Sequence, residues 1–401
     1  VSAPPVAPLD PRAPTAAPGR ARLRAAVLAF LDRCAEDLSL PRERERDALL
    51  AELAAFQRAH VAPFARLWAA RGASFERGPD GWPALPTDVF RFARVSVFSP
   101  GGDVRVFRTS GTTSGARGEH AFVDLALYHR AALLGGAHAL LAAGPPEGAP
   151  LELVLLALEP ARHPDSSLGH MLGLFADARR GADPRARVTW AFDGERIDRD
   201  ALVAALERAE RDARPAALLG TSFAFVFAEE LLAEDEPRSA RGPKRFALPR
   251  GSRAMLTGGF KGRTRELAPD ALAARVAARY GLPRSAIVSE YGMTELSSQL
   301  WGRGLLDGEG GVGEGERLWI PPWVRVTAVE PSTLAPLPEG TRGLLRIDDL
   351  ANLDSCVSIQ TADLGAIERD ALGHPCLVLA GRDPGALPRG CSLAIEEALA
   401  G

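Results

Sequence analysis

The chain has only four cysteines in 401 residues, Cys34, Cys356, Cys376 and Cys391, and no two of them form a Cys-x-x-Cys pair. That spacing excludes a zinc ribbon and a disulfide framework, and a reducing cytoplasm is the expected setting. No apolar run approaches the roughly 20 residues of a membrane-spanning helix, and no basic stretch followed by an apolar one opens the sequence, so neither a span nor a secretion signal is expected. The formal net charge of -3 leaves no global attraction for nucleic acid or an anionic membrane. There is no repeat of fixed period and no Gly-x-x-x-x-Gly-Lys-Ser/Thr, which removes solenoids and P-loop NTPase chemistry. His163 and His170 have no cysteine nearby, a poor metal spacing. Gly308-Glu-Gly-Gly-Val-Gly313 fits a dinucleotide fingerprint by letter but follows no strand, and it reads as a loop.

What is present is enough apolar sequence, 46%, for a large core. Residues 1–19 are rich in Pro and Ala without periodicity and are expected to form a disordered arm. Leu23, Val27, Leu28 and Leu31, then Leu49, Leu50, Leu53 and Phe56, recur at helical spacing and predict a helical layer over 20–72. From Leu125 onward, helical stretches alternate with short buried strands at 151–158, 188–192, 216–220, 253–257 and 286–289. This alternation predicts an α/β domain with a mainly parallel sheet, whose ligands bind at the carboxyl ends of the strands. After Leu318, short strand-like runs between turns predict a β-rich subdomain over 318–380, and 381–401 forms a separate C-terminal segment.

Four stretches could carry chemistry. Arg108-Thr-Ser-Gly-Thr-Thr-Ser-Gly-Ala-Arg-Gly118 combines glycines, hydroxyls and arginine as a phosphate-binding loop does, through Thr109, Ser110, Gly111, Thr112, Thr113 and Arg117; a solvated connector is the plainer reading. Ser289-Glu-Tyr-Gly-Met-Thr-Glu295 follows a strand. Its Tyr291 could cover a purine, Gly292 permits a tight turn, and Thr294 and Glu295 offer hard oxygens to Mg²⁺, although a glutamate at a strand end also serves as a solvated or capping residue. In Gln360-Thr-Ala-Asp-Leu-Gly365, Asp363 could accept from ribose hydroxyls or belong to a β-turn. The fourth is Gly381-Arg-Asp383 with Arg389-Gly-Cys-Ser-Leu393. There Cys391 precedes a short helical pattern from Ser392 to Leu399, and a helix N-terminus and Arg389 would favour its thiolate. Cys34, Cys356 and Cys376 read as core.

Taken in order, these stretches resemble the motif series of the adenylate-forming superfamily. Thr257-Gly-Gly-Phe-Lys-Gly-Arg263, Leu219-Gly-Thr-Ser-Phe223, Ser166-Ser-Leu-Gly-His-Met171 and the Arg389–Leu393 ending make the chain most similar to acyl-protein synthetases of the LuxE type. The resemblance implies a large adenylate-forming domain at 20–380 with a truncated C-terminal appendage, lacking the late lysine of full-length relatives. It further implies ATP and Mg²⁺ as cofactors and a carboxylic acid substrate, with a fatty acid expected. Acyl transfer would run to Cys391 and then to a partner such as an acyl reductase or carrier protein. Glu295 with Mg²⁺, Arg382 and Lys261 would act in catalysis, the last also fitting a surface turn. Gly258, Gly259, Glu290 and Asp363 would contact the nucleotide. Thr221, Ser222, Phe223 and His170 would line the acyl pocket. Ser114, Ala116 and Arg117 stand where acyl-CoA synthetases commonly carry Gly, Pro and Lys, and Ala362 stands where Gly is usual. Two alternatives remain: a ligase delivering the acyl group to coenzyme A, a carrier protein or an amine, and a non-catalytic nucleotide- or acyl-binding homologue.

Overall fold

The computed structural model describes residues 6–10, 18–110, 116–141, 151–233, 244–258, 267–308, 312–313, 315–382 and 389–400. They fall into two compact units: Val1–Leu134 with Met293–Gln299 and Ile320–Gly401, and Gly135–Gly292 with Leu300–Trp319.

In the first unit, three helices, Pro18–Glu36, Glu43–His60 and Ala62–Ala70, form the expected layer. Leu23, Val27, Phe30, Leu31 and Cys34 share one buried stripe of the first helix, the i, i+4, i+7, i+8 pattern of an amphipathic helix. The layer begins earlier than expected. Pro18 opens the first helix, and upstream of it Leu9 bridges to Phe98, its N–H bonded to Val97 O at 2.8 Å, so part of the stretch expected to be a disordered arm is paired. The β-rich part is an antiparallel sheet in chain order, Val324–Val329, Gly343–Asp349, Ser358–Arg369 and Pro375–Arg382, with Leu85–Pro86 laid parallel against the third strand. A separate hairpin pairs Arg105–Arg108 with Glu119–Phe122.

Two buried polar contacts tie the helical layer to the loop after Asp349. Arg20 donates Nε and Nη2 to the two oxygens of Asp354, each at 2.7 Å, and both residues are buried. Gln57 is fully enclosed, donates to Asn352 O at 2.6 Å and accepts from Val357 N at 2.7 Å. Most buried polar groups are bonded in this way, and these contacts fix the loop's register against the helices.

The second unit is the α/β part. Its strand order is Arg317–Trp319, Leu300–Gly302, Ile287–Tyr291, Arg253–Thr257, Ala216–Thr221, Glu152–Leu156 and Arg187–Trp190, the last five mutually parallel. The central strands are largely apolar because both faces are covered, as buried parallel strands require. Val154, Leu218, Leu256 and Ile287 pack on Phe225, Val276 and Tyr280 from the helices Ser222–Ala233 and Pro269–Tyr280. Helix starts follow local chemistry: Ser166 and Asp198 cap by accepting from Gly169 N and Ala201 N, each at 3.0 Å. Helix Pro269–Tyr280 opens on a proline, whose fixed φ suits a first turn, and ends at Gly281 with φ 67°.

Candidate functional site

In the second unit, Thr221, Glu290 and Tyr291 lie at the carboxyl ends of the parallel strands. Register places Thr221 beside Thr257 and Thr257 beside Glu290, one row across three neighbouring strands. Thr221 Oγ1 accepts from Ala224 N at 3.1 Å and so starts the helix that carries Ser222 and Phe223. Phe223 and Phe227 are half-buried and in contact, with centroids 4.3 Å apart, whereas Phe225 turns into the core. His170 is half-buried on helix Ser167–Ala182. Gly258 follows Thr257 with φ 68°, and a Cβ placed there would meet nothing within 4 Å, so backbone conformation and not crowding favours glycine.

The strand expected to end at Ser289 runs on through Tyr291, so Glu290 and Tyr291 are strand residues. Pairing with Leu300–Gly302 extends it by supplying backbone partners beyond the apolar run. Glu290 is buried and accepts from Thr257 Oγ1; burial pushes its carboxyl up to about 7, and the threonine bond opposes that only in part. A carboxyl raised above its unfolded value of about 4.3 binds its proton more tightly when folded. Stability is therefore fully present below that value and falls as pH rises toward 7. Urea midpoints between pH 4.5 and 7.5 should decline in the wild type and flatten in Glu290→Gln; an equal slope in both would remove Glu290 as the cause.

In the first unit, the loop after the hairpin strand is closed at its base. Thr109 N bonds Gly118 O at 3.0 Å, and Gly118 N bonds Thr109 Oγ1 at 2.9 Å. Arg117, expected to face phosphate, turns back: Nε donates to Thr109 O at 2.6 Å and Nη2 to Arg108 O at 3.1 Å. Its charge is engaged by two carbonyls that the hairpin leaves with spare lone pairs, so Arg117 closes the loop in this conformation. Ser110 is exposed. Gly111, Thr112, Thr113, Gly259 and Lys261 lie outside the described residues.

The segment Met293–Gln299 is heavily supported within the first unit. His120 Nδ1 meets Thr294 O at 2.8 Å. Asn352 Nδ2 donates to Glu295 O at 2.9 Å. Asp349 accepts from Ser297 N at 3.0 Å, Ser298 N at 2.9 Å and Ser298 Oγ at 2.7 Å, and Trp323 Nε1 donates to the same Oγ at 3.0 Å. Strand alternation explains the acidic pair: Asp348 pairs with Arg346 while Asp349 faces the serines on the other side of the sheet. No motif singles out His120, Asp349 or Asn352; two consecutive aspartates closing the strand Gly343–Asp349 were the available signal. Glu295 is itself buried, at 7% exposure.

Asp363 reads in the sequence as a ribose contact or part of a β-turn. It lies instead inside the long strand Ser358–Arg369, next to a register shift, and sits directly opposite Arg382 on the neighbouring strand. The pairing continues past Gln360 because Thr361 Oγ1 bonds Leu345 O at 2.9 Å and the bulge absorbs the extra residue. Cys391 lies within the first turn of helix Arg389–Leu399, which begins three residues before the expected Ser392, and at 3% exposure it packs against Val329 and Leu344. Burial pushes its thiol up to about 11, Asp88 adds to this, and Arg71 opposes it. Desolvation at this buried position thus works against the expected thiolate. Cys34, Cys356 and Cys376 are buried, as expected of core residues.

Among the described residues no three His, Cys, Asp or Glu side chains form a metal cage. A buried carboxylate on a pinned turn does fit Mg²⁺ carried by phosphates, since that ion takes one or two protein carboxylates and completes its shell with phosphate and water. Among the described residues no helix is long and apolar enough to cross a membrane.

The fold is shared with solved acyl-CoA ligases. The open conformation of 2-hydroxyisobutyryl-CoA ligase, in complex with 2-HIB-AMP and CoA, aligns with TM-score 0.58 at 18% identity, covering 85% of this chain and 70% of that one. The same ligase in the thioesterification state gives 0.58 and 18%, with 85% and 68% coverage. ATP-bound MatB from Rhodopseudomonas palustris aligns at TM-score 0.46 and 16% identity over 70% of this chain and 49% of that one, so the chain spans about half of MatB's length. No curated protein matches the sequence significantly. Residues 74–400 match the acyl-protein synthetase, LuxE, family, and the chain belongs to that family.

Proposed function

We propose that the protein activates a carboxylic acid with ATP and passes the acyl group to Cys391 and then to an acceptor protein. The observation that carries this reading is the Thr294–Glu295 turn, held by buried side chains at Thr294, Glu295 and Ser297. Such preorganisation is what stabilising charge on a reacting phosphate needs, because the donors and ligands must already be aimed when charge develops. In the first step a carboxylate oxygen attacks the α-phosphorus, the acyl–O–P bond forms, and the bond to pyrophosphate breaks. Glu295 would hold the Mg²⁺ that neutralises phosphate charge, and Asp363 would accept from ribose hydroxyls. Thr221, Ser222 and Phe223 offer a partly apolar wall beside the strand ends, which suits a fatty acid as substrate. In the second step the Cys391 thiolate attacks the acyl carbon and AMP leaves. An acyl reductase or carrier protein is the expected acceptor, in a cytoplasmic setting.

Pyrophosphate release tests the first step. With Mg·ATP and a panel of short, long aliphatic and aryl acids, at least one acid should raise release about tenfold or more above the no-acid rate, a modest gain on the scale of enzymic accelerations. Binding of ATP without acid-dependent release across the whole panel would favour a non-catalytic homologue.

A further inference from the structure

His120 is an unusual side chain beside this turn that the proposed reaction does not use. It sits on the hairpin strand Glu119–Phe122, immediately after the closed loop, at 1% exposure. Its ring packs on Phe122 at 4.1 Å and meets Phe90 edge-on at 5.9 Å, so the imidazole plane is fixed by packing. A carbonyl oxygen only accepts, so the contact of Nδ1 with Thr294 O requires the proton on Nδ1. Burial holds the ring neutral, pushing it down to about 4. That leaves Nε2 as a bare lone pair, and among the described residues it meets no donor. A buried orphan acceptor costs stability, and an apolar ring would fill the same space without that cost. The cost is explained if the Nδ1–H bond is what the position is for.

We propose that His120 is a positioning residue for adenylation: its Nδ1–H, anchored on the hairpin strand Glu119–Phe122, fixes the Thr294 carbonyl and through it the Glu295 turn. The hairpin and the turn belong to the same unit, and their residues lie 174 positions apart in sequence. The hydrogen bond thus links the hairpin strand after the loop to the residue next to Glu295, which is proposed to serve Mg·ATP. This inference rests on the adenylation reading for its catalytic consequence, but not for its geometric one.

Three variants of the full chain separate the possibilities. In His120→Asn the amide nitrogen takes nearly the place of Nδ1 and keeps the donor. In His120→Gln the amide reaches the Nε2 end, and in His120→Phe both nitrogens are gone. The expected result is Asn within about threefold of wild type in acid-dependent ATP–pyrophosphate exchange, with kcat about tenfold lower in Gln and Phe and the KM for the acid unchanged, the scale of one lost hydrogen bond. Amide hydrogen exchange over 293–299 should accelerate in Gln and Phe and stay protected in Asn. If Phe does not fold, the Asn–Gln pair carries the comparison. Equal losses in Asn and Gln, or unchanged protection of 293–299 in Gln, would overturn the proposal. Should the wild type show no exchange with any acid, the adenylation reading fails, and the hydrogen-exchange arm still decides whether His120 positions the turn.

Discussion

Cys391→Ser should abolish stable covalent labelling by radioactive acid in the presence of Mg·ATP while leaving acid-dependent pyrophosphate release within about twofold of wild type, because only the second step needs a thiolate. The structure adds a condition. At neutral pH a thiol with a pKa of about 11 is ionised in roughly one molecule in ten thousand, against a few per cent for an ordinary cysteine. On the proposed reading, acylation would be favoured when the thiol leaves its cluster with Val329 and Leu344. Helix Arg389–Leu399 is held at its far end by Arg66 Nε on Ala398 O at 2.7 Å and by Arg71 paired with Glu397. Arg66→Ala should accordingly speed labelling of Cys391 by an alkylating reagent several-fold, as local opening becomes cheaper. Undiminished acid labelling in Cys391→Ser would remove this residue from the mechanism and favour direct delivery to an external acceptor.

Much of the fold was legible because its signals are local. The strands Glu152–Leu156, Ala216–Thr221 and Arg253–Thr257 are short, mainly apolar runs between helical patterns, and buried parallel strands have little choice but to read that way. Strand ends were less legible. Ile287–Tyr291 and Ser358–Arg369 extend beyond their apolar runs because a neighbouring strand and a side-chain bond from Thr361 supply partners. These are tertiary effects that override propensity.

The site divides along the same line. Thr294, Glu295 and Asp363 stand out in the sequence as candidates because their order and residue types match chemistry that needs hydroxyls and carboxylates. What holds them does not. The bonds from His120 to Thr294 and from Asn352 to Glu295 cross 174 and 57 residues, and no spacing rule connects such positions. Arg117 was visible as a cation but its direction was not, since that depends on which carbonyls the hairpin leaves available. Cys391 was visible as a thiol near a helix start, yet its burial beside Val329 and Leu344 and its nearness to Asp88 and Arg71, all far away in the chain, were not.

Asp349→Ala should have the largest effect of any substitution outside the residues proposed to touch substrate, lowering pyrophosphate release by about a hundredfold or more and unfolding free energy by about 4 kcal/mol. Asp349 is fully buried and serves the backbone N–H groups of Ser297, Ser298 and Ala351 as well as the Ser298 hydroxyl. Removing it strands several buried donors at once, each costing about 1–3 kcal/mol if no water reaches it. Burial pushes the carboxyl up while these four bonds pull it down, so the group is held by hydrogen bonding and not by a cation. Asp349→Asn keeps the shape and one acceptor oxygen but must turn an NH₂ toward a donor, so an intermediate loss is expected. The catalytic part of the prediction is separable from the stability part: assayed well below its melting temperature, folded Asp349→Ala should still show a depressed kcat, because Ser297 and Ser298 are the anchors next to Glu295. A variant that is folded, destabilised and catalytically normal would mean that the Glu295 turn keeps its geometry through Asn352 and His120 alone, leaving Asp349 a purely structural residue.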